Sequence, residues 1–187
     1  LELRAFDMPP HSQMALLQML LVRALVSCFW KKPYKHSLVR WGTRLHDKFL
    51  LEHYVKEDLK SVVEYLNDEG YEFKLDWFDP FFEFRFPLYG MTSIEGMPVE
   101  IRSAIEPWNV LGEESGSQGT SRYVDSSVER LQIKIANFNE ERYVVSCNGV
   151  QVPLSKTDIE GEYVSGVRYK AWQPWSALHP TIKVDTP

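Results

Sequence analysis

The heptapeptide FFEFRFP at positions 81–87 constrains the fold of this chain more than any other stretch. In it three phenylalanines alternate with two charged residues, as Phe82, Glu83, Phe84, Arg85 and Phe86. Side chains two positions apart share one face of a β-strand. The pattern therefore predicts a strand over residues 81–91 that turns an aromatic face toward the core. Its opposite face would carry a carboxylate beside a guanidinium.

The same Glu-apolar-Arg triplet occurs at three places in the chain, at positions 2–4, 83–85 and 100–102. If the three strands pair in one sheet, carboxylates and arginines would cover one face. Carboxylates are ligands that Mg²⁺ prefers, and arginine binds phosphate through two parallel hydrogen bonds. One hypothesis is therefore a face for ATP and Mg²⁺. It assigns three glutamates to the metal, Glu2, Glu83 and Glu100. It assigns three arginines to phosphate, Arg4, Arg85 and Arg102.

The alternative interpretation of the triplets is structural. Opposite charges on neighbouring strands form cross-strand ion pairs, each of which contributes about 0.2–1 kcal/mol on a solvated face. Opposite charges two positions apart are also common in ordinary sheets. The residues alone leave both interpretations open.

A second candidate site is the stretch RWGTRLHD at positions 40–47. Two arginines, a histidine and a threonine surround a glycine there, and together they could bind an anion. The residues concerned are Arg40, Arg44 and His46. The alternative is a loop that leads into a helix and whose arginines pair with nearby acids.

Composition limits the class of partner. The chain has 187 residues with 44% hydrophobic and 25% charged residues, as in ordinary globular proteins. Its net charge of −5 gives no general attraction to nucleic acid or to an anionic membrane, and we expect neither as a partner. Cys28 and Cys147 form neither a disulfide framework nor a metal-binding spacing, so a reducing, cytoplasmic location is expected.

The periodicity predicts an α+β fold. An apolar helix from Ser12 to about Trp30 should be covered on most sides, as a core helix rather than a membrane helix. A second, amphipathic helix should span residues 51–69. Strands are predicted at residues 1–8, 81–91, 99–105, 127–135, 143–147, 150–154, 162–172 and 181–184. Asn148-Gly149 predicts a hairpin turn, and residues 112–121 have the composition of a loop.

These elements suggest two parts. Residues 1–121 would form an antiparallel sheet packed by two main helices, and residues 122–187 a small all-β part. The chain opens on a strand pattern without an initial Met, so we expect it to be part of a longer protein.

Several long blocks resemble a known family: LELRAFDMPP (1–10), VRWGTRLHD (39–47), FEFRFP (82–87), AIEPWNVLGEE (104–114), RYVDSSVER (122–130) and YKAWQPWSALHPT (169–181). They resemble a bacterial amidoligase domain of unknown function, found at the C-terminal end of transglutaminase-like proteins. The resemblance runs over essentially the whole chain. It implies an N-terminal transglutaminase-like domain and a peptide or amino-acid substrate.

The activity of that family is a proposal from similarity to the carboxylate–amine ligases of the glutamine synthetase superfamily. Those enzymes present Glu and Arg from an antiparallel sheet to ATP and a divalent metal. By this resemblance Glu2, Arg4, Glu83 and Arg85 match the sheet residues of such a site. Arg40, Arg44 and His46 fall in a shared block without an assigned role. By this resemblance we expect the upstream part of the family domain and the transglutaminase-like domain to lie outside this sequence.

Two functions remain open at this point. The first is the C-terminal fragment of an ATP- and Mg²⁺-dependent amidoligase, which we expect to be inactive alone. It requires the three triplets on neighbouring strands with their charges on one concave face. The second is a non-catalytic module that binds a peptide or a partner domain. It requires an ion-pair ladder without a cleft and exposed aromatics near Trp108, Trp172 and Trp175.

Overall fold

The computed structural model describes residues 6–117 and 119–171. In these residues four α-helices precede the strands: α1 (Ser12–Lys31), α2 (Leu45–Leu50), α3 (Glu52–Asp68) and α4 (Asp79–Arg85). Short 3₁₀ helices at Gly42–Arg44 and Leu75–Phe78 lead into α2 and α4. Helices followed by antiparallel strands confirm the predicted α+β class.

Nine strands follow, at β1 (Leu88–Ile94), β2 (Met97–Ala104), β3 (Val110–Gly116), β4 (Gly119–Val124), β5 (Val128–Ile135), β6 (Ser146–Cys147), β7 (Val150–Gln151), β8 (Ser155–Lys156) and β9 (Tyr163–Lys170). Five of them form one antiparallel sheet in the order β1-β2-β5-β9-β8. β3 pairs with β4, and β6 with β7, in separate two-stranded ribbons. The β2–β5 pairing joins residues before and after position 121. The division into two domains there stays a prediction.

The strand predicted at residues 81–91 is wrong in its first half, because residues 79–85 form helix α4. Pro80 stands in the first turn of α4, where its fixed φ favours a helix and no hydrogen bond is lost. Phe78, Phe82 and Phe86 are buried and recur every fourth residue, which is the helical period. Phe84 is 58% exposed, whereas a strand would have placed it on the same face as Phe82.

The main core lies between α1, α3 and α4. Its buried members are Ala24, Cys28, Val63, Leu66, Phe73, Phe78, Phe82 and Phe86. A second, smaller cluster of Met97, Ile135, Phe138 and Tyr163 packs against one face of the sheet. The sheet's opposite face, turned toward the helices, carries the site described below.

Helix α1 is less covered than predicted. Only Met14, Ala24 and Cys28 are buried in it, while Leu16 is 69% and Trp30 88% exposed. It is long and apolar enough to cross a membrane, but core helices of soluble proteins can be equally long and apolar. The expectation that α1 is covered on most sides is wrong for the part of the chain that the structure describes.

The other elements divide into confirmed and corrected ones. α3 matches the helix predicted at 51–69, and Asn148-Gly149 forms the predicted turn, with φ of 50° and 81°. Within residues 112–121, predicted as a loop, residues 112–116 belong to β3 and residues 119–121 to β4. These strands pair, and Arg122 Nε donates to Glu113 Oε1 at 2.6 Å. Residues 6–8 are irregular rather than strand. The strands predicted at residues 1–5 and 181–184 lie outside the described residues.

The helical geometry of α4 predicts opposite effects for two neighbouring phenylalanines. Phe82→Ala should lower the free energy of unfolding by about 3–5 kcal/mol, because it leaves a cavity in the main core. Phe84→Ala should change it by less than about 1 kcal/mol, since that ring is mostly exposed. Urea unfolding followed by circular dichroism measures both values. Equal losses in the two variants would contradict the helix.

Candidate functional site

The site is centred on Arg102, in the middle of β2. Its Nε donates to Glu100 Oε1 at 2.9 Å, and its Nη1 donates to Glu83 Oε1 at 2.7 Å. Nη1 also reaches the backbone oxygen of Phe86 at 3.2 Å. The Arg102 and Glu100 side chains are 13% and 15% exposed, and Glu83 is 57% exposed. One guanidinium therefore joins two carboxylates, of which one opens toward solvent.

Local sequence explains this arrangement. Glu100 and Arg102 are two apart on a strand and so share a face. Glu83 arrives from α4, whose end at Arg85 is followed by the turn at Phe86 and Pro87. Burial by itself lowers the pKa of Arg102, but hydrogen bonds to Glu83 and Glu100 outweigh it and raise that pKa. Arg102 is therefore held in its cationic form.

Arg102 belongs to a larger surface, which we call the polar face. Strand register places on this face of the sheet Glu100, Arg102, Arg130, Gln132, Lys134 and Arg168. Arg102 stands opposite Gln132, and Glu100 stands opposite Lys134. The face lies under the helices, so its polar groups need partners.

Gln132, which is fully buried, finds those partners in α3. Its Oε1 accepts a hydrogen bond from the backbone N–H of His53 at 2.9 Å, and its Nε2 donates to Glu52 Oε2 at 3.4 Å. The first N–H groups of a helix have no partner inside the helix. Leu51, at the N-cap position of α3, provides no side-chain hydrogen bond. Gln132 thus caps α3 from the sheet.

Arg130 joins the sheet to α2, as Gln132 joins it to α3. Its Nη2 lies 2.5 Å from Asp47 Oδ1, and its Nη1 donates to the His46 backbone oxygen at 3.2 Å. A Cβ added at Gly166 would lie 2.7 Å from Arg130 Nε, so the glycine leaves room for the guanidinium. This interaction holds the end of the 40–47 stretch against the sheet.

Glu106, after β2, has a buried carboxylate with an unusual environment. Its side chain is 5% exposed, and its Oε1 pairs with Arg168 Nη2 at 2.7 Å. Its Oε2 has no hydrogen-bond partner in the structure. A buried unpaired oxygen of this kind carries a desolvation cost. Glu106 was not predicted from the sequence, because a single acid before Pro107 carries no distinguishing pattern.

The structure brings together only some of the residues predicted from the triplets. Glu83, Glu100 and Arg102 meet, but Arg85 points elsewhere and pairs with Asp7 at 3.2 Å. The requirement of three neighbouring strands fails, because residues 83–85 are helical. Glu2 and Arg4 lie outside the described residues.

All three residues of the second candidate site are exposed. Arg40 is exposed in irregular chain, Arg44 ends a 3₁₀ helix, and His46 lies exposed in α2. Among residues 6–117 and 119–171, no three His, Cys, Asp or Glu side chains are grouped so as to hold a metal ion. Gln132 and Arg130 were missed, although the alternation of Arg130, Gln132 and Lys134 on β5 is a signal for a polar strand face.

Comparison with known proteins adds a family. A family model described as "Putative amidoligase enzyme (DUF2126)" matches residues 1–187. No curated protein and no solved structure matches the chain. The match agrees with the amidoligase resemblance of the sequence blocks.

Removing the central guanidinium should leave two carboxylates without their partner. Arg102→Leu is expected to lower the free energy of unfolding by about 1–3 kcal/mol, because the Glu100 side chain is largely buried. The double variant Arg102→Leu/Glu100→Leu should lose less than the sum of the single variants. Arg122→Leu, in the exposed pair with Glu113, is the control and should change stability by less than about 1 kcal/mol. Urea unfolding measures these values, and additive losses would contradict the coupling.

His53 should make folding sensitive to acid. Burial lowers the pKa of His53 below its usual 6.5, and Glu162 offsets this only in part. Below pH 6.5 the unfolded chain therefore binds a proton that the folded chain does not, so stability falls as the pH drops through this region. His53→Gln should reduce this decrease, whereas the exposed His36→Gln should not. The midpoints of urea unfolding between about pH 5 and 7.5 test this prediction. The same dependence of the midpoint on pH in wild type and in His53→Gln would refute it.

Proposed function

This chain belongs to the DUF2126 amidoligase family, and on that premise we propose that it forms part of an ATP- and Mg²⁺-dependent ligase that joins a carboxylate to an amine. The observation that carries the proposal is the convergence of Glu83 and Glu100 on Arg102. It combines, where β2 meets α4, the two residue types that nucleotide phosphates and a hard cation require. The three-strand face that the sequence predicted is wrong, because residues 83–85 are helical. The proposal is supported instead by the contact between β2 and α4 and by the family match.

The donor set suits Mg²⁺ better than a metal that needs an all-protein cage. Mg²⁺ is commonly held by one or two carboxylates together with waters and phosphate oxygens. Glu83 and Glu100 are such a pair, and Glu83 is mostly exposed. When bound, the metal would neutralise phosphate charge. Arg102, held cationic between the glutamates, would do the same from the protein side.

The proposed reaction has two steps. A carboxylate oxygen of the acid attacks the γ-phosphorus of ATP, which forms an acyl phosphate and releases ADP. The amine nitrogen then attacks the acyl carbon, the phosphate leaves with the electrons of the C–O bond, and the nitrogen loses a proton. Both steps build negative charge on phosphate oxygens, and arginines placed in advance lower that cost.

Several sequence-derived assignments remain part of the proposal. Arg40, Arg44 and His46 would be further anion contacts, brought near the sheet by the Arg130–Asp47 pair. Glu2 and Arg4 would complete the site. The transglutaminase-like domain, the peptide or amino-acid substrate and the cytoplasmic location also belong here, as does the similarity to the glutamine synthetase superfamily.

A non-catalytic binding module is the second candidate, and exposed apolar surface favours it. Leu16, Met19 and Trp30 of α1 are all more than half exposed. Trp108 is 45% exposed, although its Nε1 donates to the Val128 backbone oxygen at 2.8 Å. A module of this type would bind a partner domain through these side chains, and its charged residues would be structural.

Nucleotide turnover by the full-length protein separates the two candidates. With Mg²⁺, ATP and a panel of acids and amines, ADP release should fall at least about tenfold in Glu100→Gln and in Glu83→Gln. Glu113→Gln, on the exposed β3–β4 ribbon, is the matched control and should keep full activity.

Melting temperatures of the three variants exclude unfolding as the cause. Unchanged turnover in both Glu83→Gln and Glu100→Gln would remove these residues from the site. Absence of nucleotide binding by the wild-type protein would favour the module.

A further inference from the structure

A second candidate site is an open cavity beside α4. Helices α1, α3 and α4 and residues 6–9 line this cavity of about 410 Å³, which we call the aromatic groove. Five phenylalanines between positions 78 and 86 line it, together with aliphatic side chains such as Leu21, Val55 and Leu59. This volume and apolar lining are in the range of small-molecule sites.

The aromatic groove has one cation. Among the described residues that line it, Arg85 carries the positive charge, and Asp7 and Asp58 carry the negative ones. Asp58 lies 3.7 Å from Lys48 Nζ, which compensates its charge. Arg85 makes a single contact with Asp7, at 3.2 Å, and the two side chains are 55% and 83% exposed. An ion pair this exposed contributes little to stability, so another carboxylate can replace Asp7.

Helix α4 connects this groove with the carboxylate pair. Glu83 and Arg85 are two positions apart on a helix, and each helical residue turns the side chain by about 100°. The two side chains therefore leave α4 on different sides. Glu83 reaches Arg102 on the sheet, and Arg85 lines the groove. A molecule in the groove would lie on the opposite side of one short helix from Glu83.

We propose that the aromatic groove binds an apolar carboxylic acid. Its aromatic or aliphatic group lies among the phenylalanines, and its carboxylate takes the place of Asp7 on Arg85 through charge-assisted hydrogen bonds. This binding goes beyond the proposed function and does not depend on it, because it requires neither nucleotide nor metal.

The test compares two ligands that differ only in charge, N-acetylphenylalanine and its neutral carboxamide. Titration calorimetry on the full-length protein, without ATP or Mg²⁺, should show the acid binding about tenfold or more tightly than the amide. Arg85→Met should remove this preference. Asp7→Asn should act in the opposite direction and tighten binding of the acid, because it removes the internal competitor.

Arg122→Met, in an exposed pair with Glu113, is the matched control and should bind as wild type does. Equal affinity for acid and amide, no binding of either, or an unchanged preference in Arg85→Met would each overturn the proposal. The opposite signs expected for Arg85→Met and Asp7→Asn distinguish a specific effect from damage to the fold. Failure here leaves the turnover test of Glu100→Gln standing, and failure of that test leaves this binding intact.

Discussion

The arrangement of this protein depends on hydrogen bonds between one face of its sheet and the helices above it. Arg130 holds α2 through Asp47, Gln132 caps α3, and Arg102 holds α4 through Glu83. Arg102 and Gln132 are direct neighbours across β2 and β5, and Arg130 stands opposite Ala104 on the same face. Three helices are thus oriented by three adjacent polar residues. Apolar packing alone is not directional, whereas hydrogen bonds of this kind select one geometry.

This dependence brings the structural and the catalytic interpretation of the charges together. Buried charges are tolerated only where they are paired and hydrogen-bonded, and Arg102 meets that condition with two glutamates. The same pairing fixes the carboxylates in place, which is what a phosphate or metal site requires. A binding site differs from an ion-pair ladder in that a ligand can reach its charged groups. The Glu83 side chain, which is 57% exposed near the end of α4, can be reached from solvent.

The candidate site was predictable in the part that is local. Glu100 and Arg102 meet because a strand repeats every two residues, and the β1–β2 hairpin follows from its turn. The approach of Glu83 to Arg102 was predicted from a strand, whereas Glu83 lies on a helix. The FFEFRFP stretch fits both structures, because residues four positions apart, such as Phe82 and Phe86, share a face in a strand and also in a helix. Two features favour the helix: Asp79-Pro80 at its first turn, and the burial of Phe82 and Phe86 in the main core.

By itself, the sequence determined the α+β class, the long helices, the Asn148-Gly149 turn and the family, because periodicity, turn chemistry and long shared blocks are properties of neighbouring residues. Only the tertiary structure decided which charges meet. It paired Arg85 with Asp7 and Glu83 with Arg102, and it placed Gln132 at the start of α3. These contacts join residues that are distant along the chain, and their pairing depends on which faces the cores bury.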